Sequence, residues 1–162
     1  MSDDWAKKYV GEQGRKRKEK QREERDAQTR QDHAEAGTSE KFDQIRERVA
    51  QDVRTLNGDP DFQSMEYNGT VGKEFVVVFR GSPRVELKVA LRGLLVSCEY
   101  VLFVKESEDA HVPKSVSKAL RIRSDLGGNV TVAEDGVGKA FVTDEEVSDF
   151  LLRPLLDHIT SQ

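Results

Sequence analysis

The sequence predicts an α+β fold. An antiparallel meander sheet of six to seven strands, open or partly closed into a barrel, carries a packed N-terminal helix and a C-terminal amphipathic helix, and a charged helical arm precedes them. Three observations predict it. Between Gly11 and Gly37 the only apolar side chains are Ala27, Ala34 and Ala36, whereas from Phe42 onward the apolar density is that of a folded core. Short apolar runs then alternate with glycine-bearing turns, and such short connections join antiparallel neighbours. Two flanking stretches repeat their apolar residues at helical spacing.

The arm, residues 1–37, is rich in Arg, Lys, Glu and Gln, which are good helix formers. Opposite charges four apart, such as Glu12–Lys16, Arg15–Glu19 and Lys20–Glu24, support a helix by about a few tenths of a kcal/mol each. Lys16–Lys20 and Glu19–Glu23 oppose it, and no apolar stripe adds packing, so the expectation is a marginal helix. Trp5 and Tyr9 fall on one helical face near its start, with Val10 beside them.

Gly37 is expected to break the arm, and residues 38–162 to form a single domain. Thr38 or Ser39 can cap a helix over Glu40–Leu56, in which Phe42, Ile45, Val49, Val53 and Leu56 make one apolar face. Because the whole apolar pattern lies beyond Gly37, a chain starting there is expected to melt within about 1–2 kcal/mol of full length. Seven strands follow, at Phe62–Asn68, Glu74–Arg80, Arg84–Leu91, Leu94–Val104, Ala119–Ser124, Asn129–Glu134 and Val137–Val142, with a longer loop over Glu106–Ser117. Thr143-Asp144-Glu145-Glu146 is a capping box. The helix it opens buries Val147, Phe150, Leu151, Leu155 and Ile159, and Pro154 is expected to kink it. The order of strands and closing helix resembles a pleckstrin-homology-like barrel, a resemblance of order alone that names no site.

A two-residue turn at Arg92-Gly93 would set Leu91 opposite Leu94, Leu87 opposite Cys98 and Glu99 opposite Glu86. A three-residue turn at Gly81–Pro83 would set Phe79 opposite Val85. These registers gather the apolar residues of the middle strand on one face. The other face, with Val76, Val78, Leu95, Val101 and Phe103 among Glu86, Lys88 and Glu99, is then half apolar. Partial cover by the helix Glu40–Leu56, with a partner on the rest, fits that mixture.

Composition excludes several classes. The 162 residues carry 35% charged and 36% hydrophobic residues and a net charge of −4. Residues 1–36 hold ten basic and nine acidic groups, so the acidity belongs to the domain. The longest apolar run, Leu94–Val104, is too short for a span of about 20 residues. One cysteine, Cys98, allows no internal disulfide and fits a reducing, cytoplasmic setting. No leader is visible, so the triplets Asn68-Gly69-Thr70 and Asn129-Val130-Thr131 read as turns.

No catalytic, cofactor or metal residue is assigned. Gly136-Val137-Gly138-Lys139 lacks the first glycine and the Ser or Thr of a phosphate loop. His33, His111 and His158 lie far apart without a second ligand at metal spacing. Cys98 sits mid-strand facing the core, and Glu99 points the other way, into a cross-strand charge cluster with Glu86 and Lys88. Trp5, Tyr9, Val101 and Phe103 are candidate partner-binding residues. Arg15, Lys16, Arg17, Lys18, Lys20 and Arg22 are candidate phosphate contacts. Lys114, Lys118, Arg121 and Arg123 form a smaller basic group.

The leading expectation is a non-enzymatic binding or assembly module, using its sheet face and arm for contacts with a protein partner or a second copy. Alternatives are an accessory nucleic-acid-binding protein acting through residues 15–25, and a small enzyme or ligand-binding protein with a cavity under its C-terminal helix. No membrane, metal or cofactor partner is expected.

Overall fold

The computed structural model describes residues 2–69, 72–108 and 110–161. Thr70, which ends the first Asn-x-Thr triplet, and Asp109, inside the expected loop, lie outside the described residues.

The chain opens with one α-helix, α1 (Ser2–Asn57), of 56 residues. The expected break at Gly37 and fresh cap at Thr38 or Ser39 do not occur. Thr38 instead donates its hydroxyl to the Ala34 carbonyl one turn back. Gly37 serves packing, since a Cβ built there would lie 2.5 Å from Val130 Cγ2. A glycine inside a helix costs about 1 kcal/mol; good helix formers on both sides and this close approach offset it. Gly37→Ala should therefore destabilise by about 1–2 kcal/mol despite its better propensity. Val130→Ala in the same chain should recover part of that loss. Melts of the four proteins check it, and additive effects would mean that the two residues are not in contact.

Helix α1 ends at Asn57, whose side chain mimics a strand neighbour. Its amide donates to the Met65 carbonyl at 2.6 Å and its carbonyl accepts from the Met65 N–H at 3.1 Å. A 3-10 turn, Pro60–Phe62, leads into β1 (Met65–Asn68). The strands β2 (Glu74–Phe79), β3 (Val85–Arg92), β4 (Leu95–Ser107), β5 (Ala110–Ser124), β6 (Val130–Glu134) and β7 (Ala140–Phe141) follow. They pair antiparallel in sequence order in one curled sheet, a half-barrel in which β1 and β7 are the two edges.

Two expectations fail in the middle of the sheet. The segment expected to loop between Glu106 and Ser117 extends the β4–β5 hairpin, with Val104 opposite Val112 and Phe103 opposite Pro113. Pro113 is tolerated because of its parity. Ile122 N–H donates to the Leu94 carbonyl just before β4, whereas the odd-numbered Ala119 accepts from Asp135 beyond β6. Pro113 shares Ala119's parity, so its missing N–H would point to the side of β5 that β6 leaves open. The β3–β4 register is also displaced by two residues. Arg92 opposes Leu95, Leu87 opposes Tyr100, and Glu99 faces Lys88 rather than Glu86. A shift of two keeps every side chain on its face, so the expected core survives. The β2–β3 register is as expected, with Phe79 opposite Val85.

Helix α2 (Asp144–Thr160) closes the fold and runs on through Pro154. The Thr143 hydroxyl accepts from Glu146 N–H at 3.2 Å, and the Glu146 carboxylate accepts from Val142 N–H at 3.0 Å. Both helices pack on the same face of the sheet. Phe42, Ile45, Val49 and Val53 of α1 and Val147, Leu151 and Leu155 of α2 share one buried cluster with Phe75, Val77, Leu87, Val89, Cys98, Tyr100, Leu120 and Ile122. Helix α1 therefore does not cover the other face, contrary to expectation. Lys41 pairs with Asp144 at 2.7 Å, and the buried Ser148 hydroxyl donates to Asp52 at 2.7 Å, pinning α2 to α1.

Candidate functional site

Three surfaces hold the residues that the sequence singles out or that the fold brings together: the free part of α1, the outer sheet face, and a groove beside α2.

From residue 4 onward, the first buried residue of α1 is Ala34, at 2% exposure. At a rise of about 1.5 Å per residue, the helix before it extends some 45 Å. Trp5, Tyr9 and Val10 near its tip are 67%, 56% and 70% exposed, so the aromatic pair does not dock back on the domain. Helical geometry also divides the candidate phosphate contacts, because each residue turns by about 100°. Arg15, Lys18 and Arg22, with Arg25, fall on one stripe at spacings of three, four and three. Lys16 and Lys20 lie on another side and Arg17 on a third, so the six do not act together.

On the outer face, rows read across the strands mix apolar and charged residues. Val76 opposes Lys88, which opposes Glu99; Glu66 opposes Val78, which opposes Glu86, which opposes Val101. Arg80 pairs with Glu66 at 2.8 Å and Arg84 with Glu86 at 3.9 Å, bonds of small worth at such exposed positions. Val78 and Ala90 are buried between these side chains, while Val76, Val101 and Phe103 remain half-buried. Phe103 has a further tie, since its carbonyl accepts from His158 Nε2 of α2 at 3.0 Å. The basic group near β5 is split as well. Arg121 pairs with Asp135 at 3.0 Å on the outer face, whereas Lys118 points inward, opposite Cys98.

The third surface is a groove of about 980 Å³ between α2 and the β5 and β7 side of the sheet. One stripe of α2, made of Glu146, Asp149, Phe150, Arg153, Pro154 and Asp157, forms a wall. Phe141 from β7 and Phe150 make its apolar floor, their ring centroids 5.3 Å apart. Lys118 Nζ lies 4.8 Å from the Phe150 ring centroid, within cation–π range. Glu145 and Glu146 stand at one end and Asp157 at the other. Arg153 pairs with Asp149 one turn earlier. The sequence reading placed a cavity beneath this helix without its residues. The one legible signal is the acids three and four apart, Glu145, Glu146 and Asp149, bordering Phe150.

The groove offers carboxylates, an ammonium and aromatic rings, but no hydroxyl or thiol nucleophile held by a base. Cys98 is buried in the core, and that burial pushes its thiol up to about 12, with the Lys118 charge pulling the other way. Its ordinary value is 9.0, so the folded state holds the proton where the unfolded state releases it, and stability falls as pH rises from about 9 towards 12. Native protein at pH 8 should leave Cys98 unmodified by a thiol-reactive dye over an hour, with full labelling in denaturant. Rapid native labelling would show an accessible thiol. Among the described residues, no three His, Cys, Asp or Glu side chains gather as a metal ion needs, and no helix is long and apolar enough to cross a membrane. Comparison of the chain with protein-family models, curated proteins and solved structures gives no match.

Proposed function

We propose that this chain is a non-enzymatic binding or assembly module that makes protein contacts through its helical arm and its outer sheet face. The observation that carries the reading is the free part of α1, more than two dozen residues of helix with an exposed Trp5–Tyr9 pair at the tip. Aromatic residues dominate binding hot spots, and a solvated helix with no core to stabilise has its use in reaching another molecule. The outer face supports the same reading, because Val101 and Phe103 lie there half-buried with neither helix over them.

Affinity capture from the native cell, comparing the full chain with Trp5→Ala/Tyr9→Ala, tests the arm. At least one partner should be lost with the aromatic pair; identical captures would refute its role. For the sheet face, Val101→Lys should shift the melt by less than about 1 kcal/mol, as a surface change does, while weakening association. A loss of several kcal/mol would show that this face is covered.

The second reading, nucleic-acid contact, is favoured by the single stripe of Arg15, Lys18, Arg22 and Arg25. Changing these four to Gln should reduce the slope of log affinity against log salt by about 3–4 if each neutralises a phosphate. No detectable binding at about 50 mM salt would retire it.

A further inference from the structure

We infer that the groove beside α2 receives the tip of the arm from a second copy of this chain, so that Trp5 and Tyr9 of one protomer seat on Phe141 and Phe150 of the other. The inference rests on the reading of the arm as a protein-contacting element and names its partner.

Reach, shape and charge support it. The arm is one continuous helix with the domain's own α1 face, and it carries Trp5 some 45 Å from the first buried residue, Ala34. A protomer cannot fold that tip back into its own groove without breaking the helix, whereas a second copy can offer its groove there. The wall of the groove is a full stripe of α2, the geometry in which one helix lies along another with anchors a turn apart. Trp5 and Tyr9 are such anchors, one turn apart on a single face, and the floor is aromatic. The groove carries Glu145, Glu146, Asp149 and Asp157 against Lys118 and Arg153, a balance of −2. Residues 7–25 of the arm hold nine basic and four acidic groups, a balance of +5. Lys8 and Lys16 stand eight residues apart on the arm, the spacing of Asp149 and Asp157 along the groove wall. Because each copy has one arm and one groove, the contact can be made twice about a two-fold axis and closes as a dimer.

Sedimentation of the full chain tests this, at about 100 μM, where even a small interface populates a dimer. The wild type should be dimeric, with association weakening several-fold as salt rises, because exposed charges are screened. Lys8→Glu/Lys16→Glu and Asp149→Lys/Asp157→Lys should each weaken association at least tenfold while their melts stay cooperative. The chain carrying all four reversals should dimerise again, which a merely misfolded variant could not do. Trp5→Ala/Tyr9→Ala should be monomeric. A monomeric wild type, a dimer indifferent to Trp5 and Tyr9, or failure of the fourfold reversal to restore association overturns the inference. So does a dimer that disappears on nuclease treatment, which would assign the arm to nucleic acid. A monomeric wild type whose capture of a different protein still requires Trp5 and Tyr9 sinks this inference and leaves the broader reading intact.

Discussion

Replacing Tyr100 by Ala should cost about 3–5 kcal/mol, the range for emptying a buried aromatic site. Tyr100 is fully buried in the centre of β4, and its hydroxyl donates to the Leu151 carbonyl of α2 at 2.6 Å. That bond falls where α2 is weakest. Pro154 has no N–H for the carbonyl four residues before it, Phe150, and the Tyr100 hydroxyl adds a donor at the very next carbonyl. The ring also fills the space between α2 and β3, opposite Leu87. Tyr100→Phe separates the two contributions. It keeps the packing and should cost about 1–2 kcal/mol, the value of one buried hydrogen bond with its acceptor left behind. Denaturant melts of both variants measure the pair. A loss in Tyr100→Phe as large as in Tyr100→Ala would mean that the hydroxyl, not the ring, holds α2 in place.

Shortening the arm should give two unequal results. A chain beginning at Gln28 should melt within about 1 kcal/mol of full length, because none of residues 4–27 is buried. A chain beginning at Thr38 should lose about 2–3 kcal/mol, a large effect for deleting a mostly polar segment. It gives up Ala34, the fit of Gly37 against Val130 and the acceptor of the Thr38 hydroxyl. It also leaves Phe42 directly behind a newly frayed first turn, whose four N–H groups lack partners. The apolar pattern alone puts the cost of a cut near Gly37 lower, within about 1–2 kcal/mol. Equal melts for the two truncated chains would restore that boundary.

The difference between those boundaries has a physical cause. Ala34 and Gly37 are small, and small residues leave no periodic apolar signal, so a stripe read from Phe42, Ile45, Val49 and Val53 begins too late. Glycine in particular reads as a breaker until its neighbour is known, and the neighbour here, Val130, comes from a strand far along the chain. Similarly, Pro113 argues against a strand unless that side of β5 is known to be open.

The candidate site was less legible than the fold. Locally, Phe150 reads as a buried helical residue and Lys118 as part of a basic group, and nothing in the linear order joins Asp149 and Asp157 to them. Only the packing of α2 beside β5 and β7 puts them around one groove. The basic run of the arm shows the reverse. It looked like one cluster in the linear order, and the helix disperses it, leaving Arg15, Lys18, Arg22 and Arg25 in line.

The sequence by itself determined the class of the fold, the order of its elements, the inward faces of strands and helices, and the polar arm. Those follow from periodicities of two and 3.6 residues and from caps and turns, all of which act over a few residues. Tertiary structure alone decided that α1 runs unbroken through Gly37, that β4 runs on to Ser107 and β5 begins at Ala110, and that the β3–β4 register sits two residues from the expected one. It also decided that both helices share one face of the sheet. Each of these depends on contacts between distant segments, and a register shift of two leaves the local pattern of buried and exposed residues unchanged.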